Sequence, residues 1–151
     1  MKPILRPRPV LIALTIWVLL QLPRFIALPL IQSVLLGTDP AAWLFPAIID
    51  IVVAVLAPVV LLAVWRHPNL WSWLFTLCWL VVSTFDHASA VTAFAIAGGP
   101  TIFKDFGSSG NLVPLLQAVV DAFLFLVLCN EGVRSHFFRT ADVCAIRDAG
   151  F

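Results

Sequence analysis

Charged residues are scarce in this sequence. Of its 151 residues only 11% are charged and 62% are hydrophobic, and the mean hydropathy is +1.04. A soluble domain of ordinary composition has about 25% charged and about 45–50% apolar residues. A chain of this length is expected to form one domain, and one compact fold cannot hide so much apolar surface from water. We therefore expect most of that surface to contact lipid.

Cysteine is also rare, and Cys78, Cys129 and Cys144 form no CxxC pair. An odd number of unpaired thiols argues against a disulfide framework. The net charge is only +1, and no basic patch is interleaved with aromatic residues, so we expect no nucleic-acid partner. HExxH motifs, histidine clusters and nucleophile motifs are absent too. The sequence therefore predicts no metal site, names no cofactor and gives no catalytic motif.

Four stretches have the length and composition of membrane spans, which need about 20 mainly apolar residues. They cover residues 10–36, 42–65, 70–97 and 112–129. The breaks between them each contain Gly or Pro, where helices end at little cost. The first stretch is longer than the roughly 7–15 residues of a signal-peptide core, so we expect it to be retained. The prediction is an all-α integral membrane protein, a four-helix transmembrane bundle formed by one membrane domain, 1–151.

The basic residues are distributed unevenly about these spans. With an even number of spans, seven of them fall on one side of the membrane, and Lys104 alone falls on the other. The seven are Lys2, Arg6, Arg8, Arg66, Arg134, Arg139 and Arg147. Because loops rich in Lys and Arg stay in the cytoplasm, both termini are predicted to be cytoplasmic. We expect the plasma membrane, which is the inner membrane in a bacterium.

Every predicted span also carries an ionisable residue. These are Arg24 in the first span, Asp50 in the second, Asp86 and His87 in the third, and Asp121 in the fourth. Each charge placed in hydrocarbon costs at least about 2.5–3.5 kcal/mol. At 1.5 Å per residue, they lie about 12–18 Å from the outer ends of their spans. We therefore expect all of them to face inward and meet in one polar layer.

Neighbouring positions extend this predicted layer. Ser83 lies one turn from Asp86 and His87, and Gln117 lies one turn from Asp121. Pro23 precedes Arg24 and removes a backbone donor, which predicts a kink there. Three carboxylates then face one guanidinium and one histidine, which could be protonated. The excess negative charge needs protons, a bound cation or a basic partner group, and closely spaced groups titrate as a unit.

One interpretation of this layer is structural, with Arg24 paired to one or two aspartates and the other polar groups bonded across the bundle. The excess of acid over base favours proton- or cation-linked transport or conduction instead. Four spans are few for a complete carrier, so a homo-oligomer or a larger membrane complex is expected. One alternative is a non-catalytic accessory subunit, or a subunit that binds a lipophilic ligand. A second is a membrane-embedded enzyme acting on a lipid-like substrate, although no motif supports catalysis. The long loop 98–110 is either an interfacial connector or a lid over a site on the outer side.

Overall fold

All the regular structure in the described part of the chain is helical. The computed structural model describes residues 7–102 and 112–138. Lys104, Cys144 and the basic residues at positions 2, 6, 139 and 147 lie outside these ranges. The main helices are α1 (Pro7–Leu19), α2 (Ala27–Leu35), α3 (Leu44–Arg66), α4 (Leu70–Ala97), α5 (Leu112–Leu128) and α6 (Glu131–Phe138), with 3-10 turns at Leu22–Ile26 and Ala41–Trp43. The all-helical prediction is confirmed.

Three helical segments are long and apolar enough to cross a membrane. They are Arg8–Leu35, Ala41–Arg66 and Leu70–Ala97, with 28, 26 and 28 residues. The predicted fourth span corresponds to α5, which has only 17 residues. It has the required length only together with α6, from which it is bent by 66°. The described residues therefore contain three such helices, or four if the bent pair is one span.

Local sequence signals set the helix ends. After α2, Gly37 adopts φ +75°, and the amides of Gly37 and Thr38 donate to the carbonyls of Val34 and Ser33. This is a Schellman motif, which satisfies the last carbonyls of a helix. At the start of α4, the side chains and backbone amides of Asn69 and Ser72 bond reciprocally at 2.9 Å. Such a capping box supplies acceptors for amides that the first turn leaves free.

A polar layer separates two apolar clusters in the interior. The larger cluster lies towards Arg66 and includes Leu14, Val60 and Leu80. The smaller cluster lies towards the loop that contains Asp39, and it includes Leu30 and Trp43. The polar residues at this level lie between the positions that feed the two clusters: Gln21 and Arg24 in the first segment, the half-buried Asp50 in α3, and Ser83, Asp86 and His87 in α4.

The outer surface of the bundle is mainly apolar. Leu36, Trp71 and Ile96 are 74%, 76% and 76% exposed, and many other large apolar side chains also point outward. A soluble monomer rarely exposes extended apolar patches. An apolar exterior on helices of this length is compatible with a membrane protein.

Candidate functional site

Arg24 is the centre of a buried network that joins three helical segments. Its Nε donates to Gln21 Oε1, and its Nη1 donates to Asp50 Oδ1 at 2.9 Å and to Asp86 Oδ2 at 2.5 Å. Its Nη2 donates to Ser83 Oγ at 2.9 Å and lies 2.5 Å from His87 Nε2. A guanidinium has five N–H donors, and here five acceptors surround it. Arg24 therefore has no donor left for a further ligand.

The break in the first helical segment presents Arg24 to this network. Pro23 lies in the 3-10 turn Leu22–Ile26, and the amide of Arg24 bonds to the carbonyl of Gln21. The predicted disturbance at Pro23 is thus observed as a 3-10 turn between α1 and α2. Arg24 is 7% exposed, whereas its neighbours Pro23 and Phe25 are exposed. The tighter turn directs the guanidinium between α3 and α4.

The contact between Arg24 and His87 defines the role of the histidine. Arginine nitrogens only donate hydrogen bonds, so His87 Nε2 must accept in this contact. The ring is then neutral, with its proton on Nδ1. His87 Nε2 also lies 3.4 Å from Asp121 Oδ2, but its one lone pair is directed to the closer Arg24. His87 therefore adds no positive charge to the layer, and among the described residues Arg24 is the one cation paired with its carboxylates, Asp50 and Asp86.

Asp121 is held by α1 rather than by Arg24. The indole Nε1 of Trp17 donates to Asp121 Oδ1 at 2.6 Å, and Asp121 is 0% exposed. Within the described residues, its Oδ2 atom has no hydrogen-bond partner, and neither has Asp86 Oδ1. Buried polar atoms are rarely left without a partner. Unpartnered oxygens at these two positions indicate where a proton or a ligand would be stabilised.

Asp50 and Asp86 form a second close pair. Both contact the same nitrogen, Arg24 Nη1, at 2.9 and 2.5 Å, so the two carboxylates are close neighbours. Two ionised carboxylates cannot form a hydrogen bond because neither carries a donor. A proton on one of them would provide the donor and remove the repulsion. The pair can thus hold one proton beside the guanidinium.

A cavity of about 270 Å³ lies next to this network. The candidate residues that line it are Arg24, Asp50, Asp86, His87 and Gln117. Its other lining residues are mainly apolar and lie towards the end of the bundle that contains Asp39: Leu30, Trp43, Pro46, Ala47, Ala90, Phe94, Val113 and Pro114. The polar network is therefore one wall of a mainly apolar cavity between α2, α3, α4 and α5.

A second polar cluster joins the two connections at that end of the bundle. Asp39, 5% exposed, accepts hydrogen bonds from Ser33 Oγ at 2.5 Å and from Thr101 N and Oγ1 at 2.8 and 2.7 Å. Nearby, Trp43 Nε1 donates to the carbonyl of Gly98 at 2.9 Å. We call Ser33, Asp39 and Thr101 the loop clasp. It fixes residues 98–102, the described start of the loop considered above as a lid.

The predicted site residues are brought together to different extents. Arg24, Asp50, Ser83, Asp86 and His87 are in direct contact, whereas Asp121 joins them through its approach to His87, and Gln117 contributes only to the cavity wall.

Sequence reasoning missed Gln21 and Trp17. Gln21 lies three residues before Arg24, and Trp17 lies four residues before Gln21, so helical spacing was the signal that could have identified both. The partners of Asp39 had no such local signal.

Across residues 7–102 and 112–138, no three His, Cys, Asp or Glu side chains are grouped so that they could hold a metal ion. Comparison of the chain with protein families, with curated proteins and with solved structures found no match. The described residues form a buried Arg/Asp/His network among apolar helices.

Proposed function

We propose that this chain is an integral membrane protein that crosses the bilayer four times and moves protons or a small cation as an oligomer. The observation that carries the proposal is the buried network beside a cavity, at a level between the two apolar clusters. Ionisable groups inside a membrane are costly and usually mark ion or proton paths. This network draws on all four helical segments. Arg24 joins the first three, and Trp17 and His87 connect it to Asp121 on α5.

The balance of charge supports a transport role over a purely structural one. Arg24 offsets one carboxylate, and His87 is neutral where it accepts from Arg24. Up to two further negative charges then need protons or a bound cation. Groups this close share their protons, so binding at one changes the affinity of the next. A site whose proton content can vary is what proton-linked transport requires.

The topology belongs to the same proposal. The seven basic residues named above would lie on the cytoplasmic side with both termini, and Lys104 would lie on the outer side. The plasma membrane, the inner membrane in a bacterium, is the proposed location. Four spans enclose only a small site, so we propose that several copies assemble into the working unit.

Proton flux into liposomes tests the proposal. Purified protein is reconstituted with a trapped pH-sensitive dye, and a membrane potential is imposed. We expect proton entry that Asp50→Asn reduces to the rate of protein-free liposomes, because Asp50 lines the cavity and is the most exposed carboxylate of the network. Thr92→Val, on the exposed face of α4, is the matched control and should leave the rate unchanged. Transport would be refuted if liposomes that contain the wild-type protein were as impermeable as protein-free liposomes to protons and to every cation tested.

The apolar wall of the cavity favours one alternative. A subunit that binds a lipophilic ligand inside a larger membrane complex would need this kind of wall. It would show no flux, and a partner protein would copurify with it. The membrane-enzyme alternative differs again, because it would convert a lipid-like substrate without moving it.

A further inference from the structure

The cavity beside Arg24 combines an aromatic wall with an acidic one. The rings of Trp43 and Phe94 are nearly perpendicular, with centroids 6.4 Å apart and an interplanar angle of 84°. The hydrogen bond from Trp43 Nε1 to Gly98 fixes the indole, and both rings line the cavity. Aromatic rings pair favourably with other aromatic groups in edge-to-face or offset contacts. This wall suits the apolar or aromatic part of a ligand.

The acidic wall has one charge more than Arg24 can neutralise. Asp50 and Asp86 share Arg24 Nη1. The Asp50 side chain is 30% exposed, the largest value in the network. Asp86 is 2% exposed, lines the cavity, and its Oδ1 has no hydrogen-bond partner in the described residues. Once Arg24 has offset one carboxylate, the second needs either a proton or a cation.

Arg24 itself is a poor site for an anion. Its five N–H donors already meet five acceptors, on Gln21, Asp50, Ser83, Asp86 and His87. An anionic ligand would have to displace one of these and would then lie against the two carboxylates. The carboxylates of Asp50 and Asp86 therefore make the cavity favour a cation over an anion.

We propose that the cavity binds a small lipophilic monocation, with its charge at Asp50 and Asp86 and its apolar part against Trp43 and Phe94, in exchange for one proton. This names the substrate class of the proposed transport site, and it rests on that proposed function. The volume of about 270 Å³ is just below the roughly 300–1,000 Å³ of sites for drug-sized ligands. A cation of about a dozen non-hydrogen atoms fits that space.

The exchange involves every charged or titratable group that faces Asp50. Arg24 faces it from the 3-10 turn, Asp86 and His87 from α4, and Asp121 lies behind His87 on α5. Arg24 keeps its charge throughout, and His87 accepts from Arg24. Asp121 is bonded to Trp17 and is not among the residues that line the cavity. The proton that leaves when the cation binds is therefore the one held by the Asp50–Asp86 pair. The net charge of the site stays constant through the exchange.

Equilibrium binding to the purified full chain in neutral detergent tests the proposal. The probes are benzyltrimethylammonium, a permanent cation with one aromatic ring, and 4-tert-butylbenzoate, an anion of similar size. We expect saturable binding of the cation alone. Asp50→Asn should weaken it by about tenfold or more, because the cation loses its counter-charge. Phe94→Leu should weaken it by about 3- to 10-fold, because the contact between the Phe94 ring and the benzyl ring of the probe is lost. Thr92→Val is the control and should bind like the wild type.

The proton count gives an independent readout. Calorimetry in two buffers that differ in ionisation enthalpy should show about one proton released per cation bound. Preferential binding of the anion, unchanged affinity in Phe94→Leu, or cation binding without proton release would each overturn the proposal. If Asp50→Asn does not fold, the Phe94→Leu variant and the comparison of the cationic and anionic probes still test the proposal. Proton flux that depends on Asp50, without cation binding, would reject this ligand class and leave transport standing. Cation binding that depends on Asp50, without any flux, would support this ligand class and reject transport.

Discussion

Replacing Arg24 should separate the effect of its charge from the effect of its hydrogen bonds. Arg24→Met removes both and leaves Asp50 and Asp86 buried without a counter-charge. Breaking a buried ion pair by removing one partner costs about 3–5 kcal/mol. Arg24→Lys keeps the charge but supplies three donors where the structure uses five. Two lost hydrogen bonds between membrane helices cost about 1–3 kcal/mol in total.

Equilibrium unfolding in mixed detergent micelles, followed by circular dichroism, measures these losses at pH 7. Arg66→Met is the matched control, because Arg66 is exposed at the end of α3, where a basic residue contributes at most about 1 kcal/mol. A double-mutant cycle with Asp86→Asn tests the cause, since neutralising that carboxylate should recover part of the loss in Arg24→Met. If both Arg24 variants unfold like Arg66→Met, the guanidinium does not organise the layer.

Three further changes test contacts around this layer. Trp17→Phe keeps an aromatic ring but deletes the donor to the buried carboxylate on α5, and should lower the free energy of unfolding by about 1–3 kcal/mol; an equal loss in Trp71→Phe, on the exposed face of α4, would argue against the hydrogen bond. Gly98→Ala should cost about 1–3 kcal/mol, because φ 77° and ψ 179° are accessible essentially to glycine alone; thermal unfolding unchanged by this substitution would contradict that backbone geometry. Asp39→Asn should weaken the loop clasp, so that the amide of Thr101 exchanges with deuterium faster than in the wild type; equal exchange rates would show that another contact holds this segment.

Much of the fold follows from local properties of the chain. Helices satisfy their own backbone hydrogen bonds, so an apolar stretch predicts a helix without knowledge of its neighbours. The stretches 42–65 and 70–97 correspond closely to α3 and α4, and the Pro23 signal corresponds to the 3-10 turn. The fourth stretch is less regular, because α5 ends at Leu128 and α6 leaves at an angle of 66°. Hydropathy measures composition and does not register such a bend.

The sequence predicted which residues would form the candidate site, but not which of them would contact one another. One ionisable group per apolar stretch, at similar depth, indicates a shared layer because an isolated buried charge is too costly. The partners of each group depend on how every helix is rotated about its own axis. Trp43 illustrates the difference. Near the end of a predicted span it would be assigned to the membrane interface, yet it is 5% exposed and bonded to Gly98.

By itself, the sequence determined that the chain forms apolar helices, and it predicted one shared level for the ionisable residues within them. The tertiary structure decided that Arg24 uses all five of its N–H donors within the network and that His87 accepts a hydrogen bond there instead of carrying a positive charge. It also placed a cavity against Asp50. It also joined Asp39 to Thr101, 62 positions further along the chain. The physical reason is that hydropathy is a sum over one segment, whereas pairing and cavity shape depend on the packing of several segments.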